Sequence, residues 1–233
     1  MSLEPIDFAI EDYLKGITGQ NIIIKSDLSE DDLMEVDYYF RSPSLLPDIE
    51  KYALKNCTGK VLDVGACVGA HSIPLTKEGF DVTAIDISKN AVDYLKKQGV
   101  NAHQISFLEY NEDVFDTILL LMNGIGIAGT IDELPHFFEH CKKLLKPDGK
   151  IIADSTDVNY FYEDDDGSVW LDLNAKYYGE FKFQMEYKGN VGPWFNWLYI
   201  DFEKLNEVAS NCGLTVNKIF ENGDSFLAEI KLI

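Results

Sequence analysis

Positive charge is what this chain has least of. Lysine and arginine total 20 against 40 aspartates and glutamates, for a formal charge of −20 and a sequence pI near 4.4. Arg41 is the only arginine. A field of that sign repels phosphate backbones, so nucleic acid is not an expected partner. Cysteine is also sparse. Cys57, Cys67, Cys141 and Cys212 are scattered and form no C-x-x-C pair, which argues against a zinc or dithiol motif and for buried free thiols in a reducing cytosol. Of the four histidines, only His136 and His140 share a helix face, with no third ligand beside them, so no metal is expected. No apolar run approaches the ~20 residues of a membrane span. No charged-then-apolar leader opens the chain. The expectation is a cytoplasmic protein with no membrane partner.

Against these absences, 46% of the 233 residues are hydrophobic, enough for one large domain or one domain with an insertion. The chain is organised around Gly59 to Ser88, GKVLDVGACVGAHSIPLTKEGFDVTAIDIS. An apolar run from Val61 to Val64 carries Asp63 inside it. Gly65 and Gly69 follow, then an amphipathic segment, then a second apolar run ending in Asp86. Strand, glycine turn, helix, strand and acid make half of a nucleoside-binding βαβ unit. A glycine directly after a buried strand lets the backbone turn sharply and lets a ligand approach. The next helix offers free N–H groups and the positive end of a dipole. An acid closing the second strand is placed to accept both ribose hydroxyls, and Asp86 lies near the ~20-residue spacing expected of such an acid. A dinucleotide fingerprint needs a middle glycine, and Cys67 stands there with a Cβ that crowds a pyrophosphate. A nicotinamide dehydrogenase is therefore disfavoured. The same unit with no ligand is the bland alternative.

VLDVGACVGAHS and VTAIDIS resemble the first two motifs of the S-adenosylmethionine (SAM)-dependent methyltransferases of the Rossmann-like, class I type. Many members carry glycine at the position of Cys67. LLKPDGKII, from Leu144 to Ile152, resembles the helix-to-strand-five junction of the same enzymes. The resemblance implies an α/β fold: a doubly wound, seven-stranded, mostly parallel sheet with an antiparallel last strand and an N-terminal helical lid over residues 1–56. It implies SAM as cofactor, held by Asp63, Gly65, Ala66, Cys67 and Gly69 at the turn and by Asp86 and Ile87 at the second strand. Ser106-Phe107 correspond to the family's adenine-holding acid and apolar residue, with serine in place of the acid. Met122 and Asn123 close strand four beside the methyl-transfer site. Arg41 is the candidate for the carboxylate of SAM; a surface ion pair is its alternative.

Helices are expected over 4–16 and 29–40, with a short strand at Asn21 to Lys25. The SAM-binding domain is expected over 57–155 and 201–233. Residues 156–200 break the family's rhythm and are too many for a bare loop. Thirteen of the 29 aromatics fall there. Phe181, Phe183, Met185 and Tyr187 alternate with polar residues as in a half-buried strand, and a second strand runs from Trp194 to Ile200. The expectation is an inserted antiparallel β element beyond strand five, serving as a substrate lid or as a homodimer contact. No general base stands out, although Asp154, Asp157, His136 and Tyr160 stand near strand ends. Candidate substrate contacts are Asn123, His136, Tyr160, Trp194 and Trp197. The expected activity is in-line methyl transfer to a small molecule, with a protein methyltransferase or a non-catalytic SAM-binding protein as alternatives.

Overall fold

The computed structural model describes residues 4–162 and 176–233. The part of the expected insertion over 163–175, with Trp170, lies outside them. The chain runs α1 (Pro5–Leu14), β1 (Asn21–Ser26), β2 (Asp32–Glu35), α2 (Val36–Tyr39), α3 (Asp48–Lys55), β3 (Lys60–Val64), α4 (Ser72–Lys77), β4 (Asp81–Asp86), α5 (Lys89–Lys97) and β5 (Asn101–Gln104). It continues through β6 (Phe115–Leu120), α6 (Leu134–Leu144), β7 (Leu145–Thr156), β8 (Glu180–Tyr187), β9 (Asn190–Leu198), α7 (Phe202–Asn211), β10 (Leu214–Asn222) and β11 (Ser225–Leu232).

Seven strands form the main sheet in the order β10-β11-β7-β6-β3-β4-β5. The block from β7 to β5 is parallel, and β11 runs antiparallel to both neighbours. This is the doubly wound sheet expected from the sequence. The central strands are buried on both faces, as parallel strands between helices must be. On β6, Ile118, Leu119 and Leu120 have no accessible surface. Their alternation divides the core. Leu62, Ile118 and Ile151 meet Phe137, Phe138 and Cys141 of α6 and Leu205 and Ala209 of α7. Val61, Leu119 and Ile152 meet Ala53 of α3, Leu75 of α4 and Leu95 of α5. The helix starts are fixed by local chemistry: Ser88 Oγ accepts the Ala91 N–H, and an Asp201 carboxylate oxygen accepts the Lys204 N–H.

A second, four-stranded antiparallel sheet has the order β2-β1-β8-β9. Two of its strands come from the N-terminal segment and two from the insertion. The expected helix over 29–40 is therefore a strand and a single helical turn, and the N-terminal segment is not simply a helical lid. Leu33 and Met34 pair with Ile23 and Ile22, and the ladder outweighs the helix preference of the acidic stretch before them. One face of this sheet carries Ile22, Ile24, Met34, Met185 and Tyr187, packed on Ile6, Phe8 and Ala9 of α1. Farther along the sheet, Phe183 is paired with Phe195 and Phe181 with Trp197. The opposite face carries Gln184, paired with Lys25 and with exposed Trp194.

Gly69 has a packing duty that Gly65 lacks. A Cβ on Gly69 would stand 2.4 Å from Leu95 of α5, at a φ of +86°. Gly79 has a similar φ of +93° with open space around it. Gly69→Ala is expected to lower unfolding free energy by about 1–3 kcal/mol more than Gly79→Ala, the overpacking part alone. Urea denaturation of the two variants measures that difference, and equal losses would refute the packing role.

Candidate active site

The carboxyl ends of four adjacent strands define the site. Gly65 follows β3 with φ +69° and an exposed backbone, and a Cβ there would meet only Ile127, at 3.4 Å. Its N–H and that of Ala66 both donate to the Ile85 carbonyl. Cys67 takes φ +45°, a conformation that glycine adopts without cost. The turn is held there by Asp86 at the end of β4. One Asp86 oxygen accepts the Cys67 N–H at 2.8 Å and the other accepts the Ser88 N–H at 2.7 Å. Burial pushes the Asp86 carboxyl up to about 6 against the pull of those two N–H groups, although part of its surface stays open. Ile87, next in sequence, is an exposed apolar side chain at the mouth.

Asp63 lies beneath the turn, accepts the Ser72 hydroxyl and is raised by burial. Beside it stands a buried ionic cluster. Arg41 Nη2 meets Glu50 Oε2 at 2.5 Å, and His71 Nε2 stands 2.7 Å from the same oxygen. Burial works against the Glu50 charge, but His71 and Arg41 more than offset it and hold the carboxyl below its ordinary range. Arg41 Nη1 donates to the Tyr38 carbonyl and its guanidinium lies 4.1 Å over the Tyr38 ring, while its Nε is buried without a partner among the described residues. Arg41 is thus an interior side chain and not part of a surface ion pair.

At the end of β6, Met122 and Asn123 both have positive φ, 59° and 57°. The Asn123 N–H donates to Asp154 Oδ1 at 2.7 Å, and its side-chain Nδ2 donates to the Leu198 carbonyl of β9 at 3.1 Å. Its Oδ1 is buried with no partner among the described residues. Asp154 lies on β7 just past its pairing with β6. Burial pushes its carboxyl up to about 7, opposed by the N–H groups of Asn123 and Gly124.

Two covers close over these strand ends. From the N-terminal side, Asp7 of α1 accepts the Ser88 hydroxyl at 2.7 Å and the Asn90 N–H at 2.9 Å. Tyr39 packs beside Cys67, and Phe40 stacks on Tyr13 with centroids 3.8 Å apart. From the insertion, Trp197 lies against Gly126, where a Cβ would stand 2.4 Å from its Nε1. The Ile200 N–H donates to the Ser155 hydroxyl, and Tyr199 packs edge-on to Phe181.

The structure brings Arg41, Asp63, Gly65, Ala66, Cys67, Asp86, Ile87, Met122 and Asn123 to one edge. It gives Gly69 to helix packing. Ser106 Oγ donates to Glu109, and Phe107 is core, packed between Phe137 and His140, so its ring face is already used. His136 sits on the exposed side of α6, and Trp194 is 49% exposed on the outward face of the second sheet; neither joins this edge. Tyr160 is 45% exposed and stacks on Phe161, which meets Phe181. Asp7, Tyr39, Glu50 and His71 were not singled out by the sequence. Only His71 carried a signal, through its place inside the glycine motif.

Residues 62–153 match the family described as "Methyltransferase domain". The structure superposes, with a TM-score of 0.91, on a SAM-dependent methyltransferase from Bacteroides fragilis in complex with S-adenosyl-L-homocysteine (SAH). The two are 39% identical, and the match covers 98% of this chain and 94% of that one. The CcbJ methyltransferase from Streptomyces caelestis shares the fold at 16% identity and a TM-score of 0.63, over 84% of this chain and 95% of its own. A putative methyltransferase of Bacillus subtilis, YqeM, is 21% identical over 69% of this chain and 75% of its own length. A glycine turn pinned by the acid of the neighbouring strand, in a chain so close to an SAH-bound enzyme, places this protein among the class I SAM-dependent methyltransferases, an enzyme family to which it belongs.

Proposed function

We propose that the enzyme transfers the methyl group of SAM in line to a small-molecule acceptor, with the cofactor laid along the ends of β4, β3 and β6. The observation that carries this reading is the Gly65–Asp86 pair: an exposed, side-chain-free turn beside a carboxylate whose oxygens still have free lone pairs. These residues fit SAM. Asp86 accepts the ribose hydroxyls, Gly65 gives the ligand access to bare main chain, and Ile87 offers an apolar surface to the purine. Arg41 keeps one donor, Nε, for the carboxylate of the methionine part. Asp63 fixes the turn from below. When bound, SAM supplies an electrophilic methyl on a sulfonium; the chain's own part is alignment and exclusion of water. Ser106 and Phe107 shape this pocket from the core side instead of clasping the adenine.

The second sheet and α1 roof the strand ends, which favours an acceptor small enough to be enclosed. The sheet's inward aromatics, with Trp197 set against the Gly126 loop, form that roof. Residues 1–56 and 156–200 act as one cover on the SAM-binding unit of 57–155 and 201–233. Among the described residues no helix is long and apolar enough to cross a membrane, and the net charge of −20 disfavours nucleic acid. A cytoplasmic location fits the free thiols.

Asp86→Asn keeps an oxygen for one of the two main-chain N–H groups but loses the charge. It is expected to weaken SAH binding about tenfold to a hundredfold, the worth of a charge-assisted hydrogen bond; calorimetry showing unchanged affinity would remove Asp86 from the site. The pH dependence follows. Binding needs the carboxylate, and the free carboxyl titrates at about 6 among Asp7, Asp63, Cys67 and Ser88. The Kd for SAM should therefore rise as pH falls below about 6, up to tenfold per unit, and that slope should vanish in Asp86→Asn.

Trp197→Ala should cut turnover at least tenfold at unchanged SAH affinity, because it opens the roof over the loop after β6. Trp194→Ala, on the outward face, should leave turnover within about twofold. Equal effects in the SAH-release assay would rule out a one-sided roof.

A further inference from the structure

Asp86 ends β4, Gly65 and Asn123 follow β3 and β6, and Asp154 lies on β7 just past its pairing with β6, on four neighbouring strands. Strands lie about 4.8 Å apart, so Asp154 stands roughly 14 Å from Asp86 and one strand beyond Asn123. A ligand whose ribose lies at Asp86 and which crosses the glycine turn has its far end near Asn123. Asp154 is then on the acceptor side of the site.

Its surroundings have a defined chemical bias. From α3 comes Glu50, from the start of α4 His71, from the segment after α2 Arg41, and from α2 Tyr38. The charge of Asp154 raises both Tyr38 and Tyr199, so both phenols stand within its reach, each raised chiefly by burial. Arg41 is turned to Glu50 and to the Tyr38 carbonyl. Two hydrogen-bond acceptors stand beyond the glycine turn, Asn123 Oδ1 and the Asp154 carboxylate. Asn123 Oδ1 belongs to a side chain only 9% exposed and has no donor among the described residues. Asp154 stays partly open, with Oδ1 accepting the Asn123 N–H and the Gly124 N–H also turned to the carboxylate. The roof is aromatic, with Phe181 and Phe183 stacked and Tyr199 edge-on to both. Two acceptors under ring faces suit a group that brings N–H donors and a positive charge.

Resting on the methyltransferase reading above, we infer that the acceptor is an amine and that Asp154 is the catalytic residue that binds its ammonium and takes its proton. A proton passes from the ammonium to the Asp154 carboxylate. The freed lone pair on nitrogen forms the new N–C bond as the methyl C–S bond breaks and its electron pair leaves with sulfur. The methylated ammonium departs and Asp154 returns its proton to water, so one proton is released per turnover. A carboxyl that titrates at about 7 is matched to this exchange, since about half is ionised at neutral pH and most at pH 8, yet it is basic enough to hold a proton briefly.

The alternative is that Asp154 merely fastens the Asn123 turn. Asp154→Asn separates the two, because its amide oxygen still accepts the Asn123 N–H. Phenethylamine and 2-phenylethanol are matched probes with one aromatic body and different head groups. Calorimetry on the SAH complex at pH 8 should show the amine binding at least tenfold more tightly than the alcohol. Asp154→Asn should bring the two within about twofold while SAH affinity stays within threefold of native. With an amine that the native enzyme methylates, the same variant should lose at least a hundredfold in kcat with the KM for SAM unchanged. An alcohol bound as well as the amine, or a preference that survives in Asp154→Asn, overturns the amine assignment. A kcat within threefold of native overturns the proton transfer. Failure of SAH to bind the native protein would instead sink the cofactor reading, and this proposal with it.

Discussion

The carboxylate of Asp86 does more than end a strand. Its two oxygens hold the N–H of Cys67 and the N–H of Ser88, and so fasten the glycine turn and the start of α5 to one point. Cys67 sits at positive φ, which costs a non-glycine residue of order 1–3 kcal/mol and persists only where the surroundings enforce it. The hydrogen bond to Asp86 is such an enforcement. Ser88 extends the chain of contacts, donating its hydroxyl to Asp7 of α1 while capping α5. Cover, turn and helix are thus referred to a single acid. Gly65, freed from any packing duty, is left exposed.

The fold was legible where it is written locally. Short apolar runs closing in Asp86, Met122 and Asp154, glycines at the turns, and Ser88 and Asp201 at helix starts each carry their own instruction, and the sheet followed from them. What was not legible depends on partners distant in sequence. Leu33 and Met34 follow an acidic stretch that suits a first helical turn; only their pairing with β1, itself paired with β8, makes them a strand. That β1–β8 link spans more than 150 residues, and no local period announces it. Trp194 and Trp197 were read alike from sequence, but they stand three residues apart in unbroken register along β9, which puts them on opposite faces.

The site residues divide in the same way. Asp63, Gly65 and Asp86 were readable because the motif that names them is also the local geometry. Gly69 belongs to the motif, but its contact with Leu95 shows helix packing as the reason for glycine. Phe107 was read as a purine shelf and is core, because Phe137 and His140 close on its ring. Arg41 was placed by the family resemblance and as the solitary guanidinium of an acidic chain, with a surface ion pair as its alternative. Its burial with Glu50 is a tertiary fact, and a costly one to disturb, since removing one partner of a buried pair leaves the other charge uncompensated at about 3–5 kcal/mol.

Magnitudes decide how these parts share the work. Correct alignment of two reactants is worth up to about 7–11 kcal/mol, whereas a positioned general base contributes about 10²–10⁴-fold, roughly 3–5 kcal/mol. On the proposed in-line transfer, the larger share therefore falls to whatever keeps donor and acceptor collinear. In this chain that is the rigid edge of a parallel sheet, with Asp86, Gly65, Asn123 and Asp154 on four hydrogen-bonded neighbours. Two covers drawn from opposite ends of the sequence are joined in one antiparallel sheet, and the Leu198 carbonyl of β9 is tied directly to the Asn123 side chain. A shift in the cover must therefore shift the loop after β6. Specificity and alignment are mechanically one property here, and on the proposed role of Asp154 its carboxylate would meet an acceptor whose position the sheet has already set.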